Sequence, residues 1–249
     1  MRNSVSLGAC LCLLSACAPA TRYLHSGIGP MTDPIGTKSL SVQRGELVAV
    51  DLKMRDGSAR IIPTDADSIT AKVELTTHSD RDYRNQCTQP IVESAGVSMR
   101  RVARTLDIRI DSRANLRCSE HWTILVPAGI SVVATGDVAN LSIDGIAGDV
   151  IATVDVGKVS ITDAGASAVA RVRSVGDASA ESTTSSYAEA VASADVGKTE
   201  LTIDGARVDV KRSQGPGGRI GMKGNGKDRV IAETGVGDAK VTLTRKPAA

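Results

Sequence analysis

Cysteine is the residue type that offers the most chemistry in this 249-residue chain, which contains five of them. Cys87 and Cys118 form an even pair in the middle of the sequence, and such a pair in an exported chain predicts a disulfide. Closing a loop of about 31 residues would stabilise the fold by roughly 3–4 kcal/mol. The alternative is a zinc site that adds His78 and His121, but these residues lack the paired spacing of structural zinc ligands. We therefore expect the disulfide, with no metal and no cofactor.

Cys17 closes a targeting segment that predicts lipid attachment. An apolar stretch over residues 5–16 follows an early arginine and is too short to cross a bilayer as a helix. Residues 14–17 (Leu-Ser-Ala-Cys) resemble a bacterial lipobox, in which the cysteine thiol is acylated and the peptide before it is removed. Residues 7–10 match the motif loosely, and an ordinary signal peptide cut near Ala20 is a further alternative. The segment therefore predicts a signal peptide over residues 1–16.

Lipidation at Cys17 would make the membrane a partner of this protein. Several acyl chains, palmitate among them, anchor a protein lastingly, since each buried CH₂ contributes about 0.8 kcal/mol. Alanine follows the cysteine, which by resemblance to sorted lipoproteins favours the outer membrane, facing the periplasm. Residues 17–38 contain three prolines and no periodicity, which predicts a tether.

Val-Gly pairs recur at intervals of about 20 residues in the second half of the chain, at Val156-Gly157, Val175-Gly176, Val196-Gly197 and, after a double interval, Val236-Gly237. Between them apolar and polar residues alternate in short runs, which is typical of strands. In one such run Val150, Ala152, Val154 and Val156 are predicted to face inward. A fixed period of this size predicts an all-β fold in which residues 131–244 form a parallel β-solenoid of stacked coils.

Small side chains and corner residues support that prediction. Ala188, Ala190, Ala192 and Ala194 form an alanine face that only a narrow core can close around. Glycine at each corner supplies a positive φ that a Cβ would resist. Asp137, Asp177 and Asp238 follow the same period and are predicted to be corner residues as well.

Residues 39–130 carry a different, non-repeating β pattern. Alternating runs surround Leu52, Val73, Ile108 and Ile124, which predicts a small antiparallel sheet or sandwich. Its expected role is to cap the first coil, because an uncovered solenoid end exposes apolar surface and strand edges.

One glycine-rich stretch is a candidate for a ligand site. Residues 221–228 nearly match a phosphate-binding loop, but Asp228 replaces the required Ser or Thr and a strand is predicted to follow. The same stretch matches one copy of a calcium-binding repeat that needs consecutive copies, which leaves calcium at Asp228 an open alternative.

An arginine-rich region extends from Arg81 to Arg117. It predicts either an anion-binding face or a solvated face in which Asp107 and Asp111 are cross-strand partners of Arg109 and Arg113.

The pattern as a whole resembles the bacterial putative-adhesin family of unknown function. The resemblance rests on the leading strand set, the Val-Pro-Ala-Gly-Ile-Ser-Val turn at residues 126–132, and the repeated Gly-Asp-Val and Val-Gly-Lys units. It implies a β-solenoid domain of the cell envelope and brings no catalytic residues.

These observations predict a cell-envelope lipoprotein that acts as a non-catalytic structural or adhesin-like module. Its partner would be an envelope protein or glycan, and the nearly balanced charge of +2 gives no reason to expect nucleic acid. No Gly-x-Ser-x-Gly elbow or other catalytic setting occurs. Two alternatives remain open, a polysaccharide-active β-helix enzyme and a protein that binds anionic ligands such as lipopolysaccharide.

Overall fold

The computed structural model describes residues 34–77, 87–111, 118–207 and 217–244. These residues form an all-β fold with one short helix, as the alternating runs predicted. The elements are β1 Gly36–Gln43, β2 Ala49–Thr64, β3 Ser68–Thr77, α1 Gln89–Ser94, β4 Gly96–Val102, β5 Thr105–Asp111, β6 Cys118–Pro127, β7 Ser131–Asp144, β8 Val150–Ala164, β9 Ala168–Ser182, β10 Tyr187–Val196, β11 Thr199–Ile203, β12 Ala206–Arg207, β13 Gly218–Lys223, β14 Asp228–Val236 and β15 Ala239–Leu243. Within these ranges no helix has the length and apolar character that crossing a membrane requires.

The strands join into one mixed sheet. Its main path runs β1-β3-β6-β2-β7-β8-β9-β14-β10-β13. Pairing is parallel from β6 through β2 to β10 and antiparallel at both ends, in β1–β3–β6 and in β10–β13. The sheet is therefore not parallel throughout.

The N-terminal region contributes directly to the parallel part. Antiparallel pairing, expected for all of residues 39–130, occurs in β1–β3, β3–β6 and β4–β5. Strand β2 instead runs parallel to β5, β6 and β7. The strand β1 begins at Gly36, inside the range predicted as tether.

Equivalent residues of successive repeats lie side by side in the parallel part. Val132 pairs with Val150 and Ile143 with Ile161, and Val150 pairs in turn with Ala168. Neighbouring parallel strands lie about 4.8 Å apart. Each repeat therefore covers its neighbour with a residue of similar type, which keeps the core evenly filled.

Each long strand turns a corner near its middle. In β8 the buried residues are first Val150, Ala152 and Val154, and beyond the corner Val159 and Ile161. The parity of the inward positions changes between the two runs, because the chain changes direction there. The prediction that Val156 faces inward is wrong for this reason, since it lies on the corner and is 39% exposed.

The repeats do not pair in the order in which the chain presents them. The last repeat, β14 and β15, pairs with β9 on one side and with β10 and β11 on the other. The double interval between the last two Val-Gly pairs holds β11, the short strand β12 and β13. The part of this interval that the structure describes does not contain a further repeat with a Val-Gly corner.

The core is narrow and built from small aliphatic residues. Ala190, Ala192 and Ala194 are buried, as predicted, and Ala188 is half-buried. Larger buried side chains gather in the N-terminal region around Trp122. Small alanine side chains allow the backbones that enclose this part of the core to approach closely.

Candidate interaction surface

The corner of the parallel repeats presents a row of exposed valines. Val138 pairs with Val156, Val156 with Val175, Val175 with Val236, and Val236 with Val196. Their side chains are between 39% and 53% exposed. At the spacing of parallel strands, five such residues span about 19 Å. We call these five residues the valine row.

A row of glycines lies beside the valine row and fixes its shape. Gly157, Gly176, Gly197 and Gly237 have φ values from 129° to 143°, a region that is essentially closed to other residues. A Cβ on Gly176 would lie 1.6 Å from the carbonyl oxygen of Gly157. The predicted glycine corners are thus confirmed, and they bring the backbones of neighbouring repeats into direct contact.

Aspartates at the corner connect one repeat to the next. The Asp177 carboxylate accepts a hydrogen bond from the backbone N–H of Asp238 at 3.0 Å. Asp238 in turn accepts one from the backbone N–H of Lys198, also at 3.0 Å. These bonds satisfy donors where the corner interrupts the strand ladder. The predicted corner role of Asp177 and Asp238 is confirmed, with a backbone partner for each.

Acidic residues precede three of the exposed valines. Asp137, Asp155 and Asp195 each stand immediately before a member of the valine row. Asp155 forms an ion pair with Arg173 at 2.9 Å. Lys158 and Lys198 follow the glycines and are exposed. The valine row is therefore an apolar strip with charged borders of both signs.

A second acidic group lies on the outer side of β2 and β5. Asp51 and Asp107 are register partners, and Lys53 Nζ contacts both carboxylates, at 2.9 and 2.6 Å. Hydrogen bonding to Asp107, followed by that to Asp51, raises the pKa of Lys53. One oxygen of each carboxylate is buried and has no hydrogen bond. This group is a structural ion cluster on a sheet face.

The predicted pairing of Asp107 with Arg109 needs correction. The two residues lie on the same strand, 3.6 Å apart, and Lys53 from β2 is the closer partner. Asp111 pairs through its backbone with Gly96, and Arg113 lies outside the described residues. So do Arg81 and Arg117 at the ends of the arginine-rich region.

Glu120 is a buried acid that the sequence analysis did not identify. It points inward from β6, is 4% exposed, and accepts a hydrogen bond from the indole N–H of Trp122 at 2.9 Å. Burial raises the pKa of Glu120 to about 7, opposed by hydrogen bonds from Trp122 and from the Arg55 backbone. The alternation of β6 could have predicted its burial, because Glu120 lies midway between Cys118 and Trp122, which both face inward.

The cysteine prediction is confirmed, and the zinc alternative fails. Cys87 and Cys118 form a disulfide, so neither thiolate is available to a metal. His121 is half-buried between strands, with Nδ1 2.9 Å from the Ser58 hydroxyl and Nε2 3.1 Å from that of Thr76. His78 and Cys17 lie outside the described residues.

Asp228 holds a turn together. Residues 224–227 connect β13 to β14, so a strand follows the glycine-rich stretch as predicted. Asp228 is buried and accepts a hydrogen bond from the Thr184 hydroxyl at 2.5 Å. Among the described residues no group of three His, Cys, Asp or Glu side chains is arranged to hold a metal ion.

Comparison with known proteins gives a likeness in fold. No protein-family profile and no curated protein sequence matches this chain. The crystal structure of a putative cell adhesion protein from Clostridium sporogenes superposes with a TM-score of 0.51 and 13% identity, covering 84% of this chain and 99% of that one.

Two further structures match far more loosely. A putative adhesin from Bacteroides fragilis has a TM-score of 0.25 at 13% identity, covering 84% of this chain and 97% of its own. A putative adhesin from Parabacteroides merdae has a TM-score of 0.26 at 8% identity, covering 67% and 68% of the two chains. The Clostridium sporogenes structure therefore carries the comparison, and it confirms the sequence resemblance as one of fold.

Proposed function

We propose that this chain is a non-catalytic, adhesin-like module of the cell envelope, and that the valine row is its contact surface. The observation that supports this proposal is the alignment of five exposed valines across five paired strands. A continuous apolar surface that is exposed to solvent is typical of an interaction site. Because the closely packed glycine corner already fixes the backbone beside the valine row, binding would require little further ordering of the backbone.

The finer architectural proposal is that the parallel repeats form a β-solenoid, with β1, β3, β4 and β5 covering its first coil. Strand β2 would then belong to that first coil, because it pairs in register with β7 over twelve residues. The in-register pairing and the repeated corner support this interpretation.

We further propose that Cys17 is lipidated and holds the module in the outer membrane, facing the periplasm, with residues 17–35 as the tether. The lipobox resemblance supports this. Metabolic labelling with radioactive palmitate tests it, because the wild-type chain should incorporate label and a Cys17→Ser variant should not. Label in the variant would contradict the proposal.

The alternative of a polysaccharide-active enzyme gains no support from the described residues. Sugar-binding platforms need exposed aromatic rings, whereas Trp122 is buried and Tyr187 half-buried. The neighbouring carboxylates of Asp51 and Asp107 both form ion pairs with Lys53. Neither arrangement supplies an acid and a base facing a groove.

The contact surface can be tested with charge substitutions. A Val175→Glu and Val236→Glu double variant should lose binding to isolated cell envelopes roughly tenfold or more, because charges enter the centre of an apolar contact. The matched control places glutamates at Leu40 and Met222, which are exposed apolar residues off the corner. All variants carry Cys17→Ser so that acyl chains do not contribute. Equal binding by the corner and control variants would refute the valine row as the contact surface.

A further inference from the structure

The turn between β4 and β5 gathers arginines around an exposed valine. Residues 100–104 (Arg-Arg-Val-Ala-Arg) are all exposed, and Val102, at 55%, is more exposed than any valine of the valine row. Val102 pairs with Thr105, so Ala103 and Arg104 form a two-residue turn. Ala103 has φ 52°, a left-handed conformation that glycine adopts more easily. The turn thus keeps a tight shape with a non-glycine residue at its tip.

Contacts from neighbouring turns hold this tip in place. The backbone N–H of Val48 donates to the Arg104 carbonyl at 2.9 Å, and Arg104 Nε donates to the Glu46 carbonyl at 3.3 Å. Arg101 lies over Gly45, with Nη2 3.4 Å from the place a Cβ would take. Val48 is itself 40% exposed. The turn is therefore anchored on the start of β2 while its arginines and two valines face solvent.

The positive charges of this turn are not neutralised by acidic side chains. Arg100, Arg101 and Arg104 form no ion pair with a carboxylate in the described part of the chain. Asp107, the register partner of Arg100, is already held by Lys53 at 2.6 Å. The nearby Glu46 contributes its backbone carbonyl to Arg104. A positive surplus therefore remains at the tip.

An apolar tip framed by unpaired arginines matches one kind of partner chemistry. A soluble polyanion offers phosphates or sulfates but no place for Val102. An anionic lipid surface offers phosphates to arginines and an apolar layer directly below them. We propose that the turn at residues 100–104 docks onto membranes rich in anionic lipid, with its arginines against phosphates and Val102 in the interfacial layer. This contact is independent of the valine row.

Vesicle sedimentation tests the proposal. The protein is the full chain with Cys17→Ser, and the vesicles contain phosphatidylethanolamine and phosphatidylglycerol or, for comparison, phosphatidylcholine alone. Each basic residue near an anionic surface contributes about a fivefold factor in partitioning. Replacing Arg100, Arg101 and Arg104 together by Gln should therefore reduce partitioning into anionic vesicles about a hundredfold. High salt should reduce wild-type partitioning in the same direction.

Controls separate this contact from general charge and from a small-anion site. Replacing Lys158, Lys198 and Lys240 by Gln removes the same three charges elsewhere and should leave partitioning within about twofold of wild type. Unchanged melting temperatures show that each variant folds. A Val102→Ser variant should weaken vesicle binding severalfold and leave binding to heparin beads unchanged.

Three results would overturn the proposal. The first is equal partitioning of the arginine and lysine triple variants. The second is binding to phosphatidylcholine vesicles as strong as to anionic ones. The third is release of the protein by inorganic pyrophosphate, which would indicate a small-anion site instead of a lipid surface.

Discussion

Replacing Glu120 by Gln should make the protein more stable at alkaline pH and leave it unchanged in acid. The Glu120 side chain is buried on the inward face of β6 and accepts hydrogen bonds from the Trp122 indole and the Arg55 backbone. Gln has nearly the same shape and keeps an oxygen that can accept the bond from Trp122. It removes only the charge that burial disfavours.

The magnitude and sign follow from the two protonation equilibria. The pKa of Glu120 is about 7 in the folded protein, against an ordinary value of 4.5 when the chain unfolds. Between these values the folded state holds a proton that the unfolded state has lost. Stability therefore falls as pH rises from about 4.5 to about 7, by about 1.4 kcal/mol per pH unit. The full loss is about 3 kcal/mol, which Glu120→Gln should recover above pH 7.

Urea unfolding provides the assay. The chain has one tryptophan, and Trp122 is buried against Glu120, so its fluorescence reports on this part of the core. The difference in unfolding free energy between variant and wild type should be near zero at pH 4 and about 3 kcal/mol at pH 8, with an unchanged m-value. Titrations shared by both proteins cancel in this difference. Parallel stability curves across the whole pH range would refute the assignment of a raised pKa to Glu120.

Three further predictions concern the fold. Gly176→Ala should destabilise the protein by at least about 3 kcal/mol in thermal unfolding, because the new Cβ meets the carbonyl oxygen of Gly157 in the preceding repeat. Gly205→Ala, with φ 78° and open space around it, should cost only about 1 kcal/mol, and equal costs at both positions would contradict the close approach. Replacing Cys87 and Cys118 by Ala should lower the unfolding free energy in urea by about 3–4 kcal/mol, because the bridge restricts the unfolded chain. A loss below about 1 kcal/mol would show that the unfolded chain is already restricted without the bridge. Lys53→Met should cost about 1 kcal/mol in low salt, because it removes the cation shared by Asp51 and Asp107. High salt should reduce that cost, and a cost independent of salt would indicate lost packing instead.

Local features of the repeats could be predicted from the sequence because they depend on backbone geometry. Glycine at Gly157 and Gly176 marks a positive φ wherever it lies in the fold. Alternation likewise predicts strands without any knowledge of their partners. The side of the strand on which Val156 lies could not be predicted by continuing the alternation, because the corner changes the parity of the inward positions.

The order of the repeats could not be predicted from their spacing. A double interval between Val196 and Val236 is equally compatible with a skipped repeat and with an intervening hairpin. Which one forms depends on long-range pairing, since β14 contacts both β9 and β10. Glu120 was missed for a related reason. Its burial depends on strands that come from distant parts of the sequence.

The placement of β14 between β9 and β10 has a consequence for the timing of folding during synthesis. The ribosome completes β10 and β11 before β14 and β15 exist, so these two strands lack their parallel partners until the last residues emerge. Up to that point β9 also has one unpaired edge. The nascent chain therefore has two unpaired apolar strand edges, and both become paired when the residues from Asp228 to Leu243 arrive. Translation that stops before Asp228 would leave a chain with both edges open, which is a product prone to association with other copies.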